Sequence, residues 1–188
     1  MIRRVDTILN VTIHGTPRGE GLRQLSVTEH AVLGLLAEGP SHGFSLSKRL
    51  TADSDLGRIL TVRRPLVYRA LDRLVDSGLA EPVTTEKGSG PNRVIHRVTR
   101  DGRRESHRWL SRPVDHVREI RIEFLLKVAL LIRSRRSPGP LIAAQRAWLE
   151  PTLRALDGLA TDDHVEVWRK HAARAAGAFL DELNDIYR

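Results

Sequence analysis

Thr61-Val62-Arg63-Arg64-Pro65-Leu66-Val67-Tyr68-Arg69-Ala70-Leu71-Asp72-Arg73-Leu74-Val75-Asp76-Ser77-Gly78 is the stretch whose reading decides the fold. Val67, Ala70, Leu71 and Leu74 fall at i, i+3, i+4 and i+7, which predicts a helix with one apolar face. At about 100° per residue from Val67, Arg69 points almost directly away from that face. Asp72 and Arg73 flank the face, and Arg63 and Arg64 stand at the amino-terminal end. Pro65 suits a first helical turn, where its missing N–H would have had no partner. Gly78 supplies the stop. Taken alone, this pattern also describes a solvated surface helix. An outward face rich in arginine is equally the geometry of a helix placed in a DNA major groove, and the flanking sequence decides between the two.

Upstream, Ser26-Val27-Thr28-Glu29 has the spacing of a capping box. It opens an apolar helix with Val32, Leu33, Leu35 and Leu36 that stops at Gly39-Pro40. Ser41 is the expected cap of a second helix through Phe44, Leu46 and Leu50 to about Ala52. A polar loop with Asp53, Asp55 and Gly57 then leads to the arginine-faced helix. Three helices with short connections make a helix-turn-helix candidate. Downstream, Leu79 to Thr85 and Arg93 to Thr99 are β-branched-rich runs joined by the turn-forming Glu86-Lys87-Gly88-Ser89-Gly90-Pro91-Asn92. Pro82 restricts the first run to a sheet edge. A hairpin directly after an arginine-faced third helix is a wing, with Lys87, Asn92 and Arg93 placed for phosphate or minor-groove contact. The fold class expected is mainly α with a small β-hairpin: a winged helix-turn-helix followed by a helical region.

Charge follows the same division. The chain of 188 residues carries a net charge of +8, with a pI near 10.8, which suits a polyanionic partner. Residues 1–112 hold 19 Lys/Arg against 12 Asp/Glu, a net of +7, whereas residues 113–188 hold 12 against 11, a net of +1. Absence of cysteine excludes disulfides and thiolate metal sites. No apolar run approaches the ~18 residues of a membrane span, and Met1 to Thr12 lacks a small-residue cleavage site. The expectation is a soluble, cytoplasmic protein that does not engage membranes.

Residues 1–24 form an uncertain extension. Val5 to Ile13 could make a short strand, Gly15, Pro17, Gly19 and Gly21 break it, and Arg3, Arg4, Arg18 and Arg23 could make a basic arm. A dispensable tail is the plainer use.

Leu33-Gly34-Leu35-Leu36-Ala37-Glu38-Gly39-Pro40-Ser41-His42-Gly43-Phe44 resembles the opening signature of the phenolic acid decarboxylase regulator (PadR) family. Val67-Tyr68-Arg69-Ala70-Leu71-Asp72-Arg73-Leu74 resembles that family's recognition helix. Arg93 through Arg97-Val98-Thr99-Arg100-Asp101-Gly102-Arg103 is similar to its wing-closing strand and the turn after it. The three motifs stand in the family's order and cover roughly residues 26–110. Phe44 stands where the family usually has Tyr, His96 where an aromatic is common, and Arg63-Arg64-Pro65 replaces a Ser/Pro/Gly-type helix entry. The resemblance implies a winged helix-turn-helix DNA-binding domain at 25–112 and a carboxy-terminal dimerisation region at 113–188. It further implies a transcriptional regulator, typically a repressor, acting as a homodimer on a palindromic operator in double-stranded DNA. Candidate DNA-contacting residues are Arg63, Arg64, Tyr68, Arg69, Arg73, Lys87, Asn92 and Arg93.

From Thr99 onward the pattern is helical. Thr99 or Asp101 caps a helix through Trp109-Leu110, Pro113 breaks it, and Val114 to about Arg133 makes the next. Its seam is Val117, Ile120, Phe124, Val128 and Leu131. After the linker 133–140, a helix runs through Trp148 to a kink or interruption at Pro151. Thr161 is the expected cap of a last long helix. Its seam runs Val165, Trp168, Ala172, Ala175, Phe179, Leu183 and Ile186. Two long seams exceed what one small protomer needs, which points to dimerisation, with internal packing as the alternative. Dimeric proteins of this kind read paired half-sites about one helical turn apart.

Other chemistry finds little support. His164 and His171 lie seven apart beside Asp163, without metal-ligand spacing. No nucleophile elbow, phosphate-binding loop or dinucleotide fingerprint occurs, so neither an enzyme nor a cofactor is expected. The rival is a winged-helix protein-interaction module, which the charge division and the arginine-faced helix fit less well. Trp109, Trp148 and Trp168 are candidates for a pocket between protomers taking a small apolar or aromatic effector; structural core is their more ordinary use.

Overall fold

The computed structural model describes residues 24–86, 93–157 and 161–188. Apart from Gln24, the amino-terminal extension lies outside these residues, as do Lys87 and Asn92. Helix α1 spans Val27–Glu38, strand β1 Ser41–His42, helix α2 Gly43–Lys48 and helix α3 Arg64–Asp76. Strands β2 (Ala80–Glu86) and β3 (Arg93–Val98) follow, then helix α4 (Arg100–Ser111). Helix α5 occupies residues 117–133 and contains a π turn at Ile120–Phe124. Helices α6 (Gly139–Asp157) and α7 (His164–Ile186) complete the described chain.

Helix α1 is the centre. Every residue from Glu29 to Leu36 is buried, as expected of a helix apolar on all sides. Its capping box forms: Ser26 Oγ accepts from the Glu29 N–H, and Glu29 Oε2 accepts from the Ser26 N–H at 2.6 Å. Helix α3 packs against α1 through Val67, Ala70, Leu71 and Leu74, the apolar face read from the sequence. It ends at Gly78, whose φ is +67°. The Gly78 N–H donates to Val75 and the Leu79 N–H to Leu74, a Schellman stop that favours a residue without Cβ.

The hairpin joins an antiparallel sheet of order β1-β3-β2. Pro82 sits on the edge strand, and the register shifts between Pro82 and Thr84, consistent with a residue that cannot donate to a ladder. Thr99 joins the end of β3 to two other elements. Its hydroxyl donates to Gly78 O at 2.8 Å and accepts from the Gly102 N–H at 3.0 Å, capping α4.

Four local expectations are corrected. Ser41 does not cap α2; it lies in β1, opposite His96, and His42 is the cap, its Nδ1 accepting from the Ser45 N–H. Helix α5 starts at Val117 rather than Val114, because Val114 is committed elsewhere. Its N–H donates to Gln145 Oε1 at 2.7 Å and its carbonyl accepts from Gln145 Nε2 at 3.2 Å. Pro151 is accommodated inside α6 without interrupting it. Asp163, not Thr161, caps α7, accepting from the N–H groups of Val165 and Glu166.

One apolar core runs from Ala31 in α1 to Leu180 in α7. Where α1 and α4 meet α5, it contains a polar cluster. The Trp109 ring stacks on His30 (centroids 4.4 Å apart, planes 7° apart) and lies 4.9 Å from Lys127 Nζ. Trp109 Nε1 donates to Glu123, which also pairs with Lys127 at 2.9 Å, and Lys127 donates to Arg112 O. Burial holds the Lys127 ammonium below its ordinary pKa, against the opposing effect of Glu123.

Burial likewise lowers His30, to about 4; Glu123 opposes the shift, Lys127 adds to it and Glu29 opposes it. His30 therefore contributes stability that is fully present above its unfolded pKa near 6.5. That contribution is lost progressively as pH falls from there through about 4. The shift corresponds to roughly 3 kcal/mol at about 1.36 kcal/mol per unit. His30→Phe, which keeps a stacking ring and removes the titrating nitrogens, is expected to flatten the dependence. Urea midpoints for both proteins at pH 7 and pH 4.5 check this.

Candidate nucleic-acid interface

Helix α3 turns Arg63, Arg64, Leu66, Tyr68, Arg69, Asp72 and Arg73 outward. Arg63 occupies the N-cap without a side-chain cap hydrogen bond, and the first turn holds no acidic residue. The positive end of the helix dipole thus carries two guanidinium groups, an arrangement suited to an anion. Among the described residues, Arg63, Arg64, Arg69 and Arg93 make no ion pair.

Neighbouring elements position this surface. Tyr68 is 41% exposed, and its ring covers Gly43 at the start of α2. A Cβ on Gly43 would lie 2.7 Å from Tyr68 Cε1, so only glycine permits this approach. Beside it, the half-buried ring of Phe44 lies within 6 Å of three cationic groups: Arg64 at 4.5 Å, Lys48 at 4.8 Å and Arg93 at 5.7 Å. Arg93 stands exposed at the start of β3, next to the wing tip, so α2, α3 and the wing share one basic surface.

Arg73 has a different role from the one its position on the helix suggests. Its Nη1 is 3.2 Å from Oε1 of Glu29, a carboxylate whose side chain is only 3% exposed. The pair fastens α3 to the start of α1, so Arg73 is a docking residue. Sequence reading missed it because its partner lies 44 positions away. Phe44, Lys48 and Leu66 were missed as well. The spacing of Phe44 and Lys48, four apart on one helix, was the available signal for the first two. Leu66, 45% exposed, offers the kind of apolar contact that a thymine methyl accepts.

Residues 32–108 match the model of the transcriptional regulator PadR-like family. They run from the middle of α1 through α3 and the wing into α4. Residues 32–108 are thus similar to a PadR-like domain.

The negative transcriptional regulator PadR of Bacillus subtilis is 27% identical over 135 residues, 71% of this chain and 73% of that protein. The probable transcriptional regulator Rv1176c of Mycobacterium tuberculosis is 27% identical over 89 residues, 47% of this chain and 46% of that protein. Bacillus subtilis PadR in complex with operator DNA superimposes with a TM-score of 0.46 at 21% identity, covering 87% of this chain and 100% of that one.

Outside residues 32–108, two expectations are corrected. Ile120, Phe124, Val128 and Leu131 are buried in the chain's own core and Val117 packs against it, so the α5 seam is internal packing and offers no interface. The α7 seam divides. Val165 is 43% exposed and Trp168 72%; Ala172 is half-buried, and Phe179 and Leu183 lean on the core. Trp109 is packed between helices, Trp148 borders the core and Trp168 faces solvent. Among the described residues, a shallow groove occurs beside Ala143, Arg146, Ala147, Glu150 and Asn184.

Because Arg73 is partly exposed, its pair with Glu29 is screened. Arg73→Ala is expected to lower stability by about 1 kcal/mol. Arg69→Ala should stay within about 0.5 kcal/mol. Urea unfolding of the two variants beside the parent tests the separation.

Proposed function

We propose that the protein is a sequence-specific DNA-binding transcriptional regulator, a repressor that binds a palindromic operator as a homodimer. The observation that carries this is the outward face of α3. Three arginines without ion-pair partners among the described residues, Arg63, Arg64 and Arg69, stand on a helix docked through its opposite face and flanked by a wing. The match of residues 32–108 to the PadR-like family and the two curated regulators the chain is similar to support the same reading. Residues 25–112 would act as the DNA-binding part and residues 113–188 as the dimerising part. Arg63, Arg64 and Arg93 serve as phosphate contacts, joined by Lys87 and Asn92 at the wing tip, and Tyr68 and Arg69 face the bases.

Footprinting on DNA upstream of the protein's own gene should reveal two half-sites about one helical turn apart. Arg69 is central on the exposed face, so Arg69→Ala should weaken binding to that site by about 1–3 kcal/mol and blur its sequence preference. Equal losses on the site and on random duplex would reduce Arg69 to a phosphate contact.

Dimerisation is carried by the outer face of α7, where Val165, Trp168 and Ile186 stay exposed in the single chain. A charge there would have to be desolvated without a partner, at a cost of several kcal/mol. Trp168→Asp should therefore sediment as a monomer at micromolar concentration while the protomer stays folded, since the position is not in the protomer's core. A monomer engages one half-site, so operator affinity should drop ~10³-fold or more. A stable Trp168→Asp dimer would place the interface elsewhere.

A further inference from the structure

We propose that Phe44 is the floor of a single phosphate clamp, in which Lys48, Arg64 and Arg93 are gathered around one aromatic ring to grip one phosphodiester group of duplex DNA. The proposal rests on the DNA-binding reading and adds to it a site that α3 alone does not make. The cations come from three separate elements: Lys48 ends α2, Arg64 opens α3 and Arg93 begins β3. All lie within 6 Å of the Phe44 centroid, the range in which the negative face of a ring attracts a cation. Like charges held this close repel one another, and in a protein surface such groups ordinarily turn to carboxylates. None of the three is ion-paired among the described residues, and all three are exposed.

The Phe44 ring supplies what a carboxylate would otherwise supply, without neutralising the charge. It can hold three cations together and leave their N–H groups free. A carboxylate would hold them too, but it would cancel the field that attracts DNA. The site also includes the open end of α3, where Arg63 gives no side-chain cap and no acidic residue stands in the first turn. The positive end of the α3 dipole lies beside one of the three cations, Arg64, and an oxygen-rich monoanion relieves the repulsion among them while satisfying their donors. The Tyr68 ring covers Gly43, the chain neighbour of Phe44, and the His42 ring lies 6.2 Å from the Phe44 ring.

The test uses a fluorescein-labelled random-sequence duplex, so it needs no knowledge of the operator, and reads the slope of log affinity against log salt. Phe44→Leu should reduce that slope by about one to two units as the cations disperse, with a threefold to tenfold loss at low salt, while Phe44→Tyr, which keeps the ring, should match the parent. Lys48→Ala, Arg64→Ala and Arg93→Ala should each reduce the slope by about one unit, and each by less when combined with Phe44→Leu. The three surface variants do not touch the core, so their combinations decide the matter even where Phe44→Leu lowers stability. A parent slope near zero would overturn the DNA reading together with the clamp. A steep parent slope with an unchanged slope in Phe44→Leu, or with fully additive losses across the combinations, would overturn the clamp alone.

Discussion

A buried carboxylate at the start of the central helix fixes the relation between the elements that face outward. Glu29 is 2% exposed, and burying an ionised group is costly unless it is paired and hydrogen-bonded. Here the Ser26 N–H donates to one oxygen and the Arg73 guanidinium to the other, at the positive end of the helix. The same group therefore caps α1 and anchors α3. From that anchor the geometry passes along the chain. The Schellman stop at Gly78 sets the exit from α3, Thr99 bonds to Gly78 O, and the wing leaves at a fixed angle.

The second joint is between residues 32–108 and the helices after them. Lys127 is 1% exposed, yet its ammonium meets Glu123, Arg112 O and the Trp109 ring. A buried pair of this kind is weak evidence for stability, since an apolar replacement would do as well. The pair lies within α5, but its links to α4 are restrictive: Trp109 Nε1 reaches Glu123 and Lys127 reaches Arg112 O only when α4 and α5 sit in one relative position. Nearer the surface, Arg133 at the end of α5 donates from Nε and Nη2 to both oxygens of Glu38 and also pairs with Asp55, while Arg49 pairs with Glu38 from the other side. Exposed pairs contribute little singly, but this network bridges α1, α5 and the loop before α3. Half-site spacing in a dimer joined through α7 would depend on these contacts holding the two parts as one body.

What could be read from the sequence was local. The capping box at Ser26 and Glu29, the four-residue face of α3, the stop at Gly78, the edge position of Pro82 and the Thr99 cap are all set by residues within a turn or two, and each formed. What could not be read depended on partners far away in sequence. The π turn in α5 follows a helix start that is delayed because Gln145 takes both backbone groups of Val114. Arg73 looked like a groove-facing arginine because a helical wheel shows direction and not the carboxylate waiting there. Strand β1 is two residues long and exists only because β3 lies beside it. Periodicity found two seams but could not say which was inward. On α7, Ala173, Ala176, Gly177 and Leu180 face the core, about a third of a turn from the stripe that carries Trp168.

The entry to α3 is where local rules and tertiary structure disagree. Two arginines and an empty cap at a helix amino terminus oppose the helix dipole, each charge at a cost of about 0.3–1 kcal/mol, and a missing cap adds about 1 kcal/mol. A surface helix with this start would fray. Here Val67, Ala70, Leu71 and Leu74 are each at most 3% exposed, and full burial of a large aliphatic side chain returns about 1.5–3 kcal/mol. Packing therefore exceeds the local penalty, and the helix forms despite its entry. The conflict is relieved when an anion reaches that end. A phosphate at the first turn turns two unfavourable charges into contacts, so the feature that weakens the free helix would strengthen the bound one. This is how a sequence locally wrong for folding can be right for binding.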